Sequence, residues 1–285
     1  MNCHRTVNGV ATDFVSLPGY VIDGTTPAKV SDSEKASGIH MLFTEMDHGF
    51  VNPVSDHHAS HIKESFSSKQ WDTGSGYENL QLATFNEYMT WAVYDLFLYK
   101  YFPQVAPQVA QDWAMQNESR GFFASSLFNA KVKALYDNKR KNQKISDLYP
   151  ALLKWCKQTQ PQLSQPTITA CPLQNATLTQ SQMAAYEITF SEPMQELKTI
   201  DMVQVAATEP RKAQVVALTP EANKLAWRDN GQKLYFEVPL ENNCQNQVAF
   251  NIPWRTKTAL KSKKGVDLLV YKSIITTQVK ATKPE

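Results

Sequence analysis

Long apolar runs, clustered cysteines and a charge excess of either sign are all missing from this 285-residue sequence. No stretch approaches the roughly 18 apolar residues of a membrane-spanning helix, so no transmembrane segment is expected. Met1-Asn-Cys-His-Arg-Thr lacks the apolar core of a signal peptide. Two readings of that start stay open: a cytoplasmic N-terminus, or a sequence that begins inside a longer gene product. The formal net charge is +2, too small for a surface that tracks phosphates, so no nucleic-acid partner is expected. The densest basic run, Arg255, Lys257, Lys261, Lys263 and Lys264, reads as a solvated loop. The four cysteines, Cys3, Cys156, Cys171 and Cys244, show no C-x-x-C spacing, which excludes a zinc ribbon. Cys171 and Cys244 share the C-terminal region, and a disulfide in an oxidising compartment and two free thiols remain equal alternatives. Nucleophile elbows, phosphate loops and dinucleotide fingerprints are also absent.

Hydrophobic residues make up 42% of the chain and charged residues 20%, a globular composition with length for two domains. Residues 1–30 fit one or two short strands or an irregular lead-in. Ser31-Asp-Ser-Glu34 is a helix start, with Ile39, Leu42, Phe43 and Met46 at helical spacing behind it. Gly49 sits where that helix is expected to end, and Asn52-Pro53 closes the segment with a turn. A second helix starts at Asp56. A third spans about Leu82 to Tyr101 and buries Phe85, Met89, Ala92, Val93, Leu96 and Phe97. Further helices are predicted at about 105–117, 120–137 and 145–158. The Gln/Pro stretch Gln158–Pro166 reads as a linker. Beyond it, period-two runs predict strands at 186–190, 202–205, 214–218, 233–238, 248–252, 266–271 and 274–279. The expected fold is a multidomain α plus β chain, with a mostly helical domain over 1–160 and an immunoglobulin-like β-sandwich over 161–285.

Thr44-Glu45-Met46-Asp47-His48 carries the chemistry. The Glu-x-x-His spacing matches the zinc-peptidase helix H-E-x-x-H, in which two His one turn apart bind zinc and the Glu activates a bound water. Thr44 stands where the first His belongs. His40 is one turn earlier still, about 12 Å along a helix axis from His48, so both cannot reach one ion. His57 and His61, with His58 between them, form a separate i, i+4 pair that reads as a solvated helix face more readily than as a metal site.

Gly-Phe-Val-Asn-Pro53 follows the Thr44 motif; Asn86-Glu87-Tyr-Met, Arg120-Gly-Phe-Phe123 and Asp147-Leu-Tyr-Pro150 come later in order. Over residues 35–160 the sequence resembles a bacterial family of uncharacterised zinc metallopeptidases of the gluzincin type, with pattern H-E-x-x-H-S-F-x-N-P, then N-E, R-G-F and Tyr-Pro. The resemblance implies Glu45 as general base, His48 and Glu87 as zinc ligands, and Thr44 in place of the third. It also implies a longer region before the motif than the thirty residues present here. Ile188-Thr-Phe-Ser-Glu-Pro-Met194 is similar to bacterial immunoglobulin-like modules of exported proteins, which implies a periplasmic or secreted location. The expectation is a peptidase homologue with a degraded metal site, holding no stoichiometric zinc and serving as a binding or scaffold protein for a polypeptide or cell-envelope partner. Two alternatives stand: an active metalloprotease with a substituted ligand set, and an adhesion or carbohydrate-contact protein acting through its β-sandwich.

Overall fold

The structure is a computed structural model that describes residues 2–7, 10–15, 30–179, 183–206, 213–241 and 244–278. The protein is a mixed α and β chain that divides into two compact units, Met1–Leu163 and Ser164–Glu285. The division falls inside the Gln/Pro stretch.

The first unit opens with an antiparallel hairpin, β1 (Asn2–Val7) and β2 (Val10–Val15). Residues 16–29, also part of the predicted lead-in, lie outside the described residues. Helix α1 (Asp32–Gly38) starts on a full capping box. The Ser31 side chain accepts from the Glu34 amide, and the Glu34 carboxylate accepts from the Ser31 amide at 2.8 Å. Helix α2 (His40–His57) then runs through both predicted stop signals. Gly49 and Pro53 stay helical because the second half of α2 is held by packing: Val51 and Ser55 are buried, and the Ser55 hydroxyl meets the Tyr149 hydroxyl at 3.1 Å. Proline forfeits one backbone bond, and tertiary burial outweighs that local loss. The chain breaks instead at His58, so the predicted helix from Asp56 splits between α2 and α3 (Ala59–Ser65).

A short α4 (Ser68–Trp71) and a loop lead to α5 (Gln81–Tyr101). Its buried residues are not one stripe: Thr84, Phe85, Asn86, Tyr88, Met89, Trp91, Ala92, Tyr94 and Asp95 cover most of the circumference. A helix buried on most sides is a central helix. Helix α2 packs on it, as do α3, α6 (Ala106–Ser119) and α7 (Ser125–Asp137). Helix α8 (Tyr149–Thr159) packs on α3 and α7. The aromatic side chains between them meet edge-on: Phe66 on Phe85, Trp71 on Phe128, and Trp91 on Phe122 at 4.7 Å between ring centres. The predicted start of α7 at residue 120 moves to Ser125, because Gly121 takes φ +112° and Phe122 to Ala124 form a turn.

The second unit has two sheets. One has the order β4 (Thr177–Thr179), β11 (Tyr271–Gln278), β10 (Gln245–Phe250), β6 (Ile200–Ala206), β7 (Gln214–Leu218). The other has the order β3 (Ile168–Ala170), β5 (Ala184–Phe190), β9 (Lys233–Val238), β8 (Ala226–Arg228). Alternate residues of both sheets enter one core, among them Tyr186, Ile188 and Phe190 of β5, Phe236 of β9, Met202 of β6 and Phe250 of β10. Tyr186 and Phe236 are cross-strand partners whose rings stack at 4.8 Å. The predicted strand at 266–271 is absent until Tyr271, and Val279 lies outside the described residues. Val266 and Leu268 are buried on either side of an isolated Lys261–Asp267 bridge: the Ser262 amide donates to the Val266 carbonyl and the Leu268 amide to the Leu260 carbonyl, each at 2.8 Å, while the Asn251 side-chain amide donates to the carbonyls of Leu260 and Leu268 at 3.0 Å each. The short strands β3, β4 and β8 and the four-residue helix α9 (Pro220–Asn223) escaped the periodicity reading; three or four residues show no period. Cys171 and Cys244 are free thiols.

The Phe-Ser-Glu-Pro-Met run has a local mechanical reading. The Ser191 hydroxyl accepts from the Thr167 amide at 3.0 Å, Glu192 pairs with Lys264 at 3.0 Å, and Met194 is fully buried while its amide donates to Gly231. Gly231 is at φ +85°, and a Cβ there would sit 2.4 Å from the Met194 carbonyl oxygen. Both strain and clash forbid a side chain. In an isolated segment of residues 164–285, expected to give a β-type circular dichroism spectrum, Gly231→Ala lowers the unfolding free energy by about 2–3 kcal/mol in urea titrations.

Candidate functional site

Helix α2 presents Glu45, His48 and Asn52 on one face, at the spacing of successive turns. Helix α5 presents Asn86 and Glu87 toward them. His48 Nε2 lies 3.6 Å from Glu87 Oε1 across them. Together with Tyr77 from the loop before α5, these residues line a cavity of about 250 Å³. Glu45 and His48 of one helix, and Glu87 some 39 positions after His48, therefore share one cavity. Both side chains sit inside their helices: α2 continues nine residues past His48, and Glu87 lies beyond the first turn of an α5 that starts at Gln81.

Thr44 is not among the lining side chains. Its hydroxyl donates back along the helix to the His40 carbonyl at 3.1 Å and to the Met41 carbonyl at 3.3 Å, and the residue is buried. Short hydroxyl side chains in helices satisfy themselves in this way. His40 is also elsewhere: its ring stacks flat on Trp113 at 3.5 Å. Burial first, and then the Arg120 charge, push its pKa down to about 3, so it is a neutral core imidazole.

His48 is held from both sides: its Nδ1 lies 3.2 Å from Asn52 Oδ1, and its Nε2 faces the Glu87 carboxylate. Burial raises the Glu87 pKa and the charge of Glu45 adds to it, while His48 and then Arg120 oppose the shift. The Glu87 charge in turn is the largest cause raising the Tyr77 hydroxyl.

Tyr77 carried no sequence signal, but the Arg-Gly-Phe run explains how it arrives. The carbonyl of Gly121 accepts from the Thr73 amide at 2.9 Å, and a Cβ on Gly121 would lie 2.6 Å from both Ser75 N and Thr73 O. Only glycine lets the loop approach so closely. Asp72 accepts from the Ser75 amide at 3.2 Å, and the Ser75 hydroxyl accepts from the Tyr77 amide at 3.1 Å. Phe122 packs against Tyr77 at 5.6 Å between rings, and the Arg120 guanidinium lies over Trp91 and Phe122 at 5.9 and 5.7 Å. The Tyr-Pro run braces the other side: Tyr149 bonds Ser55 of α2 and packs on Phe85 of α5.

The donor set does not fit a three-ligand catalytic zinc. The Thr44 hydroxyl is committed to backbone carbonyls, which leaves His48 and Glu87 as ligands beside Glu45 in the place of the base, and among the described residues no group of three His, Cys, Asp or Glu is arranged to hold a metal ion. In the second cluster, His57 and His61 are split by the break at His58, whose ring stacks on Tyr149 at 5.1 Å.

No family model matches the sequence, and no curated protein matches it. Among solved structures it is similar to the surface-layer protein SbsC. Over domains 1–6 the TM-score is 0.28 at 12% identity, covering 87% of this chain and 33% of that one. Against the N-terminal part of that bacterial S-layer protein the TM-score is 0.26 at 12% identity, with 84% and 58% covered. The chain spans a third to somewhat over half of the structures it matches, and superposition this poor carries no argument. Among the described residues no helix is long and apolar enough to cross a membrane.

Two carboxyls of α2 and α5, half-buried Asp47 and buried Asp95, give the stability of the fold a pH dependence. Burial pushes Asp47 of α2 and Asp95 of α5 each up to about 7, Asp95 despite a 2.8 Å bond from the Asn129 amide. The folded state therefore keeps protons that the unfolded chain releases between about pH 4 and 7, and stability falls as pH rises through that window. Each group contributes a slope of up to about 1.4 kcal/mol per pH unit. Asp95→Asn is expected to remove one such increment, read as a flatter plot of urea midpoint against pH from 4.5 to 8.

Proposed function

We propose that the protein is a zinc-metallopeptidase homologue of gluzincin type whose metal site has been lost, followed by an immunoglobulin-like β-sandwich, and that it acts as a binding protein in the cell envelope. The observation that carries this reading is at Thr44: its hydroxyl is spent on the helix backbone while His48 and Glu87 face each other directly at 3.6 Å. The supports around the cavity agree with the family pattern piece by piece. Asn52 orients His48, Gly121 admits the Tyr77 loop, and Tyr149 braces α2 against α5. What is missing is the third strong donor that would hold an ion and its water against Glu45.

Without an activated water Glu45 has nothing to deprotonate, and peptide hydrolysis loses its nucleophile. The cavity remains as a recess between two packed helices, its carboxylates and amides set among apolar surface, suited to holding a group rather than cutting a bond. The envelope location and a polypeptide partner follow from the resemblance of the two halves to exported modules and to peptidases.

Metal analysis of the dialysed protein is expected to find zinc well below one per chain. Thr44→His restores H-E-x-x-H and is expected to tighten zinc binding at least 10–100-fold, the scale on which even residues around the ligands act. One zinc per parent chain, lost on His48→Ala or Glu87→Ala, would overturn the reading.

A further inference from the structure

We infer that β7 is a docking edge at which two copies of this chain join, antiparallel, into one continuous sheet. The second unit has four edge strands, and three of them are blunted. Strands β3, β4 and β8 hold three residues each. The β3 ladder is irregular between Ile168 and Ala170, and β8 ends on Arg228, whose guanidinium is 2.7 Å from Glu187. Short length, bulges and charge are the devices that keep sheet edges from pairing. Strand β7 has none of them. Gln214-Val-Val-Ala-Leu218 is five residues without charge, proline or glycine, in unbroken register with β6 along one side. Among the described residues no strand pairs with its other side.

The side chains of β7 suit a second β7. Leu218 is in the core and Val216 packs against it, while Val215 and Ala217 lie on the outer face, Val215 at 43% exposure. Val203 of β6 is beside Val215 on that face. A two-fold axis through Val216 sets Val215 of each copy opposite Ala217 of the other, so each exposed apolar side chain is covered by its counterpart. Charge selects the direction. In the sequence Arg211 and Lys212 stand before the strand and Glu221 after it. Antiparallel pairing of two copies brings the basic end of one to the acidic end of the other, whereas parallel pairing sets like beside like. The contact is isologous and uses up the edge, so it closes at two copies. A ladder of five residues is small beside stable interfaces, which bury about 1,200–2,000 Å², so the pairing is weak and concentration-dependent.

The test uses the full chain. Sedimentation equilibrium between about 10 µM and 1 mM is expected to show a monomer–dimer equilibrium with a Kd inside that range. In the same samples, hydrogen exchange at the β7 amides slows as concentration rises, while the β8 amides are unaffected. Val215→Lys combined with Ala217→Lys places like charges opposite each other across the axis, and is expected to weaken the dimer at least about tenfold with an unchanged circular dichroism spectrum. The exchange measurement needs no variant and survives a folding failure of the double substitution. A monomer at about 1 mM, a dimer whose β7 amides gain no protection, or a dimer untouched by the well-folded double variant overturns the inference. So does a monomer whose β7 amides are slowed only by an added valine-rich peptide, which gives the edge to a foreign strand.

Discussion

Everything in the first unit depends on covering α5. A helix that buries Phe85, Tyr88, Trp91 and Tyr94 together with Asn86 and Asp95 cannot be satisfied by one neighbour. It needs α2, α3, α6 and α7 around it, and the orientation of α2 is fixed by that demand. The approach of His48 to Glu87 is a consequence of this packing and not its cause. A single side-chain contact of that kind contributes about 0.5–1.5 kcal/mol, less than burying one Phe at about 1.5–3 kcal/mol. The cavity persists because the apolar contacts on either side hold its walls apart.

The same hierarchy explains what the sequence did and did not disclose. The Ser31 capping box is local and was legible, as were the long periodic α5 and the alternating β5 and β9. Gly49 and Pro53 are equally local signals, yet α2 ignores them, since Val51, Ser55 and the Ser55–Tyr149 bond are set by residues about a hundred positions away. Val266 and Leu268 have a strand's alternation, yet their backbone is satisfied piecemeal: Val266 by Ser262, and Leu268 by the Leu260 carbonyl and the side-chain amide of Asn251. Periodicity reports which side chains are buried; it is silent on who satisfies the backbone.

At the site, the spacing of Glu45 and His48 on one helix needed no tertiary information, and the Asn86-Glu87 pair was found by pattern. Tyr77 was invisible, since its place depends on a glycine 44 positions later accepting a close backbone approach. The fate of Thr44 was half visible. Its poor ligand chemistry follows from residue type, whereas its turn toward the His40 and Met41 carbonyls is a rotamer choice.

That rotamer choice bears on how such a site changes. A histidine at position 44 has no way to bond its own helix and must project toward whatever lies opposite. Threonine closes on itself and withdraws from the cavity without disturbing α2. The substitution thus removes a ligand while leaving every support in place: the Asn52 bond to His48, the Gly121 approach, the Tyr149 brace. Supports of that kind hold side chains in place around a recess whatever fills it.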